Sequence, residues 1–343
     1  MKKYTLLLML CLSLQLSFGQ RDSSLFMISF YNVENLYDPA DDSLFNDNDF
    51  TPTGSYHWSY SKYIKKINNI SKVLIAMGGG DPPDIAAMAE VENDKVFKDF
   101  CYRSPLKTYN YGFIHYDSPY LRGVETGLLY RKKRVAIIHS EAIPIVFPFE
   151  SKTKNRDILY VVAVHKTDTL RRDTVHLFVN HWTSRYGGYG ATVPKRNYYA
   201  QTLRHYVDSI LTVNPLSNIV IVGDFNDYPT DKSVCQVLGA ANKDKTDTAK
   251  LYNLMYTFLG MNNIGTHKHE DFWGCLDQII VSSALIQQNK LHVVQNEAHI
   301  FKEDFMVMDD EKYGGYKVFR TFLGPRYLGG YGDHLPIYLL LSK

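Results

Sequence analysis

The chain has 343 residues, with 38 Lys and Arg against 36 Asp and Glu, a formal charge of +2, and 45% apolar and 22% charged content. That length can bury a sizeable core in one large domain or two ordinary ones, and the composition excludes a disordered or low-complexity chain. The near balance of charge speaks against a protein that holds long nucleic acid by its backbone, because neutralising phosphates needs a basic excess or stripe.

Lys2 and Lys3, an apolar run over residues 4–16 and the stretch Ser17-Phe18-Gly19 have the order of a secretory signal's n-region, h-region and cleavage site. The run is shorter than the roughly 20 residues that span a bilayer. Residues 1–19 are therefore read as a signal peptide, and the protein as exported to a periplasm or the extracellular space. Leu10 precedes Cys11 where lipid attachment would need a small residue. No other stretch is long and apolar enough to cross a membrane. Losing Lys2 and Lys3 lowers the basic count from 38 to 36, equal to the acidic count, so the mature chain is formally neutral. Cys101, Cys235 and Cys275 remain, which allows at most one intramolecular bridge and offers no metal-binding spacing.

Residues 25–31 read as a buried strand ending at Asn32-Val33-Glu34-Asn35. Residues 38–54 are acidic and turn-rich, and Asn46-Asp47-Asn48-Asp49 lacks EF-hand spacing, so this is a solvated loop. Tyr60, Ile64, Ile67, Ile70 or Ser71, Leu74 and Met77 recur at helical spacing until Gly78-Gly79-Gly80 stops the helix. Asp81-Pro82-Pro83-Asp84 turns the chain into a strand over residues 85–89, whose end carries Glu90-Val91-Glu92-Asn93. The basic run Arg131-Lys132-Lys133-Arg134 reads as the solvated turn of a hairpin between residues 127–130 and 135–138. A second hairpin is expected from residues 158–165 and 174–180 across a polar turn at 167–173, delivering Asn180-His181-Trp182.

The loop Tyr186-Gly187-Gly188-Tyr189-Gly190 leads into a helix with Tyr199, Leu203, Tyr206 or Val207, and Ile210 on one face. It runs into Asn218-Ile219-Val220-Ile221-Val222, a β-branched run that predicts a strand buried on both faces. Gly223-Asp224-Phe225-Asn226 follows, placing a carboxylate where the strand stops. By itself this is a strand-closing turn, since Asp and Asn bond back to the backbone there. Asp277 lies within the otherwise apolar strand 276–282, and Gly332-Asp333-His334-Leu335-Pro336 precedes a last strand over 337–341. Strands interleaved with helices and joined by hairpins predict an α/β fold with mixed sheets, in one domain over residues 21–343.

The strand ends thus collect Asn32, Glu90, His181, Asp224, Asn226, Asp277, Asp333 and His334. Carboxylates and amides with two histidines lack zinc-type spacing and suit a hard ion such as magnesium, which keeps positions open for water and phosphate oxygens. Such an inventory fits phosphoester hydrolysis. Taken in order, Asn32, Ala89-Glu90-Val91, Asn180-His181, Gly223-Asp224-Phe225-Asn226, Leu276-Asp277-Gln278-Ile279 and Asp333-His334-Leu335-Pro336 resemble the endonuclease/exonuclease/phosphatase superfamily, over nearly the whole mature chain.

The resemblance implies a four-layer sandwich of two packed mixed β-sheets flanked by helices, with the site at one edge. It implies Glu90 as principal metal ligand, with Asn32 supporting metal and phosphate and Asp333 close to the metal. The ion is expected to be Mg2+ or Mn2+, with Ca2+ as a further candidate. Asp224 and Asn226 are expected to orient water and phosphate, His334 to touch the phosphoryl oxygen or act as base with Asp277 on its other nitrogen, and His181 to assist the leaving group. Ala89 and Gly332 replace a Gln and a Ser common in the family, and Glu92 rivals Glu90. Arg185 and Arg196 are candidates to clamp a phosphate, with an ion pair as the alternative. His165, His267 and His269 match no motif and are assigned to structure or surface. The Tyr-Gly loops around His181 and His334 offer a stacking rim.

The expected activity is an exported, metal-dependent nuclease or phosphodiesterase. Its substrate is expected to be DNA, RNA or a small phosphorylated molecule, and no protein partner is indicated. The alternatives are a phosphatase or sphingomyelinase-like phospholipid hydrolase, and, in another class, an inactive module binding carbohydrate or nucleic acid.

Overall fold

A computed structural model describes residues 22, 24–166, 173–246, 248–287 and 290–343. Residues 1–19, expected to be a signal peptide, and most of 167–173, expected to be a polar turn, lie outside the described residues. Strand β1 (Phe26–Leu36) is followed by helix α1 (Tyr60–Met77), β2 (Ile85–Val91), α2 (Asp94–Arg103), β3 (Tyr111–His115) and β4 (Glu125–Arg131). Next come β5 (Val135–Ile143), β6 (Ile158–His165), β7 (Thr174–His181), α3 (Tyr189–Val213) and β8 (Asn218–Asp224). Two short strands, β9 (Ala240–Ala241) and β10 (Leu251–Asn253), precede the hairpin β11 (His267–His269) and β12 (Phe272–Gly274). The chain closes through β13 (Asp277–Ser282), β14 (His292–Ile300), two small hairpins, β15 (Val307–Asp309) with β16 (Tyr316–Val318) and β17 (Phe322–Leu323) with β18 (Arg326–Tyr327), and β19 (Ile337–Ser342).

These strands form a six-stranded sheet in the order β14-β19-β1-β2-β4-β3 and a seven-stranded sheet in the order β5-β6-β7-β8-β13-β10-β9. Alternation along each strand explains the layering. Phe26, Ile28 and Phe30 of β1 and Ile85, Ala87 and Ala89 of β2 face Val220 and Val222 of β8 and Ile279 and Val281 of β13 in the core between the sheets. The opposite faces of β1 and β2, with Met27, Tyr31, Val33 and Met88, pack against Ile67, Ile70, Leu74 and Met77 of α1 and Phe97 and Phe100 of α2. Ile219 and Ile221 of β8 turn the other way, to Tyr199, Leu203, Val207 and Leu211 of α3. Two packed mixed sheets with helices outside thus match the expected architecture, and β8 is buried on both faces as its β-branched run predicts.

Helix α1 has the predicted extent, with Ser59 Oγ accepting from the Lys62 N–H at its start (3.4 Å). On α3 it is Val207 and Leu211 that are buried, while Tyr206 and Ile210 are only partly covered. One expectation fails. Strands β4 and β5 do not pair: β4 lies between β2 and β3, whereas β5 pairs with β6 in the other sheet. Residues 132–134 therefore cross from one sheet to the other. The basic run is committed at that crossing, Arg131 to Asp81 and Arg134 to the fully buried Asp84, whose Oδ2 also accepts the Met27 N–H (2.8 Å).

Candidate active site

Strands β1 and β2 are parallel, as are β7 and β8, while β19 runs antiparallel to β1 and β13 antiparallel to β8. The C-terminal ends of four strands and the N-terminal ends of two consequently share one edge of the sandwich. Asn32 stands opposite Ala89, His181 opposite Asp224 and Asp277 opposite Asp224. Across the sheets, the Asn32 amide donates to Asp224 Oδ2 (3.1 Å) and lies 3.4 Å from Glu90 Oε1.

Backbone irregularities aim these groups. Register with both neighbours shifts around Glu90, which has φ 64°, so one extra residue on β2 opposes β4. Such a bulge re-aims a side chain that strict alternation would send into a core, here between the fully buried Ala89 and Val91. Glu34 and Asn35 on β1 also take left-handed backbone (φ 55° and 48°), and the Asn35 N–H donates to Glu90 Oε2 (2.7 Å). Strain of this kind concentrates where function holds it in place. At Gly223 a Cβ would come within 2.6 Å of the Asn180 Cβ, so only glycine lets β7 and β8 approach there.

The electrostatics follow from burial. Burial opposes ionisation of Glu90, but His181, Arg122, Arg156 and the Asn35 N–H outweigh it and hold the carboxyl at about 2. The two arginines carry that field, because burial and Arg156 push His181 itself well below the usual imidazole range. Burial and Asp277 push Asp224 up to about 7, against His334 and the N–H of Asn226. Burial disfavours the His334 cation, yet Asp277, Asp224 and Asp333 raise it well above the usual range. His334 Nδ1 donates to Asp277 Oδ2 (2.7 Å), its Nε2 is 3.8 Å from Asp224 Oδ2, and His181 Nε2 is 3.7 Å from the same oxygen and 3.9 Å from Glu90 Oε1. His181 Nδ1 and Asp277 Oδ1 are buried and find no hydrogen-bond partner among the described residues.

Of the predicted residues, Asn32, Glu90, His181, Asp224, Asp277 and His334 meet directly. Asn226 follows Asp224 in left-handed backbone (φ 51°), its N–H on Asp224 Oδ1 (2.9 Å) and its amide on the Trp182 carbonyl (3.1 Å). Asp333 bonds Arg320 (3.0 Å) and joins His334. Glu92 turns away: its Oε2 accepts the Asp38 N–H, and burial beside Asp38, Asp47 and Asp42 pushes it up to about 9.

The two arginines need correction as phosphate clamps. Arg196 is fully buried and its Nε meets Asp227 Oδ2 at 2.8 Å, so no substrate reaches it. Arg185 donates to the Asn226 carbonyl (2.7 Å), Asp227 Oδ1 (3.2 Å) and Asp231 Oδ2 (2.7 Å), so it holds the loop that carries Asn226. Of the aromatic rim, Tyr186 (93% exposed) and Tyr313 face solvent, while Tyr331 packs on Phe305. Sequence reasoning missed Arg122, which bonds Asn35, and Arg320, which bridges Glu34 and Asp333. It also set aside His267, whose ring centroid is 4.8 Å from that of His334. No local pattern marks these three, because Arg122 and Arg320 reach the edge from loops and His267 from the short hairpin of β11 and β12.

Glu90 and Asn32 with Asp333 offer oxygen donors of the kind a hard divalent ion takes. An ionised Glu90, and an Asn32 Oδ1 that among the described residues accepts only the Glu34 N–H (3.1 Å), fit that role. Several known structures share this fold at low identity. D. rerio TDP2 complexed with single strand DNA product aligns with TM-score 0.53 and 15% identity, over 93% of this chain and 100% of that one. The Bacteroides thetaiotaomicron mannosyl-6-phosphatase aligns with TM-score 0.55 and 14% identity, over 93% and 100%. The human Nocturnin catalytic domain with bound sulfate gives 0.52 and 15%, over 95% and 98%. No curated protein sequence matches the chain. A model of the Endonuclease/Exonuclease/phosphatase family matches residues 27–343, and its span takes in every strand end that builds the edge: the chain belongs to that family.

Proposed function

We propose that the protein is an exported, divalent-metal-dependent phosphoester hydrolase, foremost a nuclease or other phosphodiesterase, using in-line attack by water without a covalent intermediate. The observation that carries this is the buried Asp277–His334–Asp224 array, with a second imidazole, His181, 3.7 Å from the same Asp224 oxygen. A carboxylate on Nδ1 fixes the tautomer and orientation of His334. That leaves Nε2 for a phosphoryl oxygen. Asp224, steadied by Asn32 and the Asn226 N–H, orients the attacking water, and His181 on the other side serves the leaving oxygen. Glu90, Asn32 and Asp333 would hold Mg2+ or Mn2+, which polarises the phosphoryl group when bound. Single-stranded DNA in the TDP2 structure and the phosphatase named above support phosphoester chemistry as the reading.

A phosphatase or phospholipid hydrolase is the second reading. It is favoured by the formal neutrality of residues 20–343 and by a cavity of about 370 Å3 beside Asp333, which suits a small headgroup better than a duplex. Export rests on the sequence of residues 1–19, and N-terminal sequencing of the mature protein tests it.

Hydrolysis should be measured on DNA, RNA, bis-p-nitrophenyl phosphate, inositol phosphates and sphingomyelin, with magnesium, manganese, calcium or chelator. Chelator-sensitive turnover that disappears in Glu90→Ala is the expected result. Turnover unchanged in that variant, or a folded protein that binds these compounds without cleaving any, would overturn the reading in favour of a binding module.

A further inference from the structure

His267 has no part in the chemistry above, yet the fold fixes it against that chemistry. It opens β11, and its backbone bridges that of His334 antiparallel, so the two imidazoles are placed side by side by main chain. Their ring planes are tilted by 44°. His267, Asp333 and His334 each offer one ligand atom, and the three atoms lie within 4.8 Å of one another. Asp277 occupies Nδ1 of His334, which leaves Nε2, and Arg320 occupies Oδ2 of Asp333, which leaves Oδ1.

We infer that His267, Asp333 and His334 form a binding site for a borderline transition-metal ion of the zinc class, which shares Asp333 with the oxygen donors of the proposed magnesium site but uses neither Glu90 nor Asn32. Two imidazole nitrogens and one carboxylate are the donors such ions take, whereas magnesium and calcium take oxygen. A tetrahedral ion with bonds of about 2.1 Å spaces its ligands by about 3.4 Å. A set within 4.8 Å therefore has to close by at most about 1.4 Å to hold the ion. Asp277 behind His334 is the carboxylate support that metal-ligating imidazoles characteristically have, fixing the tautomer and raising basicity. His267 and Asp333 are only partly buried, and the cavity of about 370 Å3 that both line gives an ion a route from solvent.

The site has a consequence that rests on the proposed function. His334 Nε2 is the atom assigned to the phosphoryl oxygen, and an ion cannot share it. Zinc therefore inhibits hydrolysis supported by magnesium, and it does so through His267.

Cobalt(II), whose visible absorption reports tetrahedral nitrogen and oxygen ligation, should be titrated into the tag-free protein and then displaced with zinc. The same titration is run on His267→Asn, His267→Gln and Glu90→Gln, each checked by circular dichroism and thermal melting. The expected result is one equivalent of cobalt, displaced by zinc, with affinity reduced about tenfold or more in both His267 variants and kept in Glu90→Gln. In any substrate assay that shows magnesium-dependent turnover, the His267 variants lose zinc sensitivity by a similar factor. Absence of stoichiometric binding in the wild-type protein, or binding that survives both His267 changes, overturns the site. The cobalt spectrum needs no turnover, so a protein that binds the ion through His267 but cleaves nothing refutes the hydrolase and leaves this site standing.

Discussion

The two ends of the sandwich bury carboxylates in opposite ways. At the far end Asp84 is wholly enclosed, with Arg134 on one oxygen and the Met27 N–H on the other, while Arg134 also donates to the Leu25 carbonyl (2.9 Å). At the near end Asp224 and Asp277 lie on directly opposed residues of paired strands, and the nearest cation, His334, touches only one of them at hydrogen-bond distance. The first is a closed arrangement that ties β1, β2 and the β4–β5 crossing together. The second keeps like charges close and polar atoms unsatisfied, a state that costs stability and leaves groups free to act on something else. Burial of charge alone thus does not distinguish a rivet from a reactive site; the tally of satisfied partners does.

Substitutions at the two ends should separate cleanly. The largest effect is expected from His334→Gln, which should lower hydrolysis by about 10^2–10^4-fold and also cost stability, because buried Asp277 loses its partner. Asp224→Asn should lower hydrolysis alike but leave the melting temperature unchanged or higher, because it removes one of two neighbouring buried carboxylates. Arg134→Ala should do the reverse. Stranding buried Asp84 should cost roughly 3–5 kcal/mol in denaturant unfolding, with turnover per folded molecule retained. Loss of stability in Asp224→Asn, or loss of turnover in Arg134→Ala, would dissolve the distinction between the ends.

Glu125, at the near end of β4, sharpens it through pH. Burial pushes this carboxyl from 4.5 up to about 7, against the Ser118 hydroxyl and Arg156. The folded state then binds a proton that the unfolded state has released. Stability is undiminished below about 4.5 and falls as pH rises through 7, by up to about 3 kcal/mol. Glu125→Gln should flatten that part of the pH–stability curve, and an unaltered slope would remove Glu125 from the account. The smallest effect is expected at Arg185. Since it braces the loop of Asn226, Arg185→Ala should lower kcat by about tenfold, or ~1.4 kcal/mol, with little change in KM. A rise in KM instead would restore the phosphate-clamp reading.

The parts of the site legible from sequence were those carried by short runs at strand ends. His181 and Asp224 close strands, Asp277 opens one, and Asn32, Glu90 and His334 lie close to strand ends, so local pattern locates them and a shared sheet edge assembles them. Residues whose meaning depends on distant partners were misread. Arg196 looks like any helix cation until folding seals it against Asp227. The run 131–134 looks like a hairpin turn because its flanks have strand character, but Asp81 and Asp84, some fifty residues earlier, draw it across to the second sheet. His267 has no motif, and only the bridge to His334 gives it significance.

The bulge at Glu90 also bears on how the site could be lost. A single extra residue turns this side chain toward the edge, and without it strict alternation would carry the chain from the helix-facing Met88 and sheet-facing Ala89 straight into the helix side again. Deleting one codon there would leave a strand able to pair while withdrawing the chief acidic group. If the proposed hydrolysis holds, a single genetic step at this bulge would abolish it while the strand still pairs, leaving a protein of the same shape that binds without cleaving.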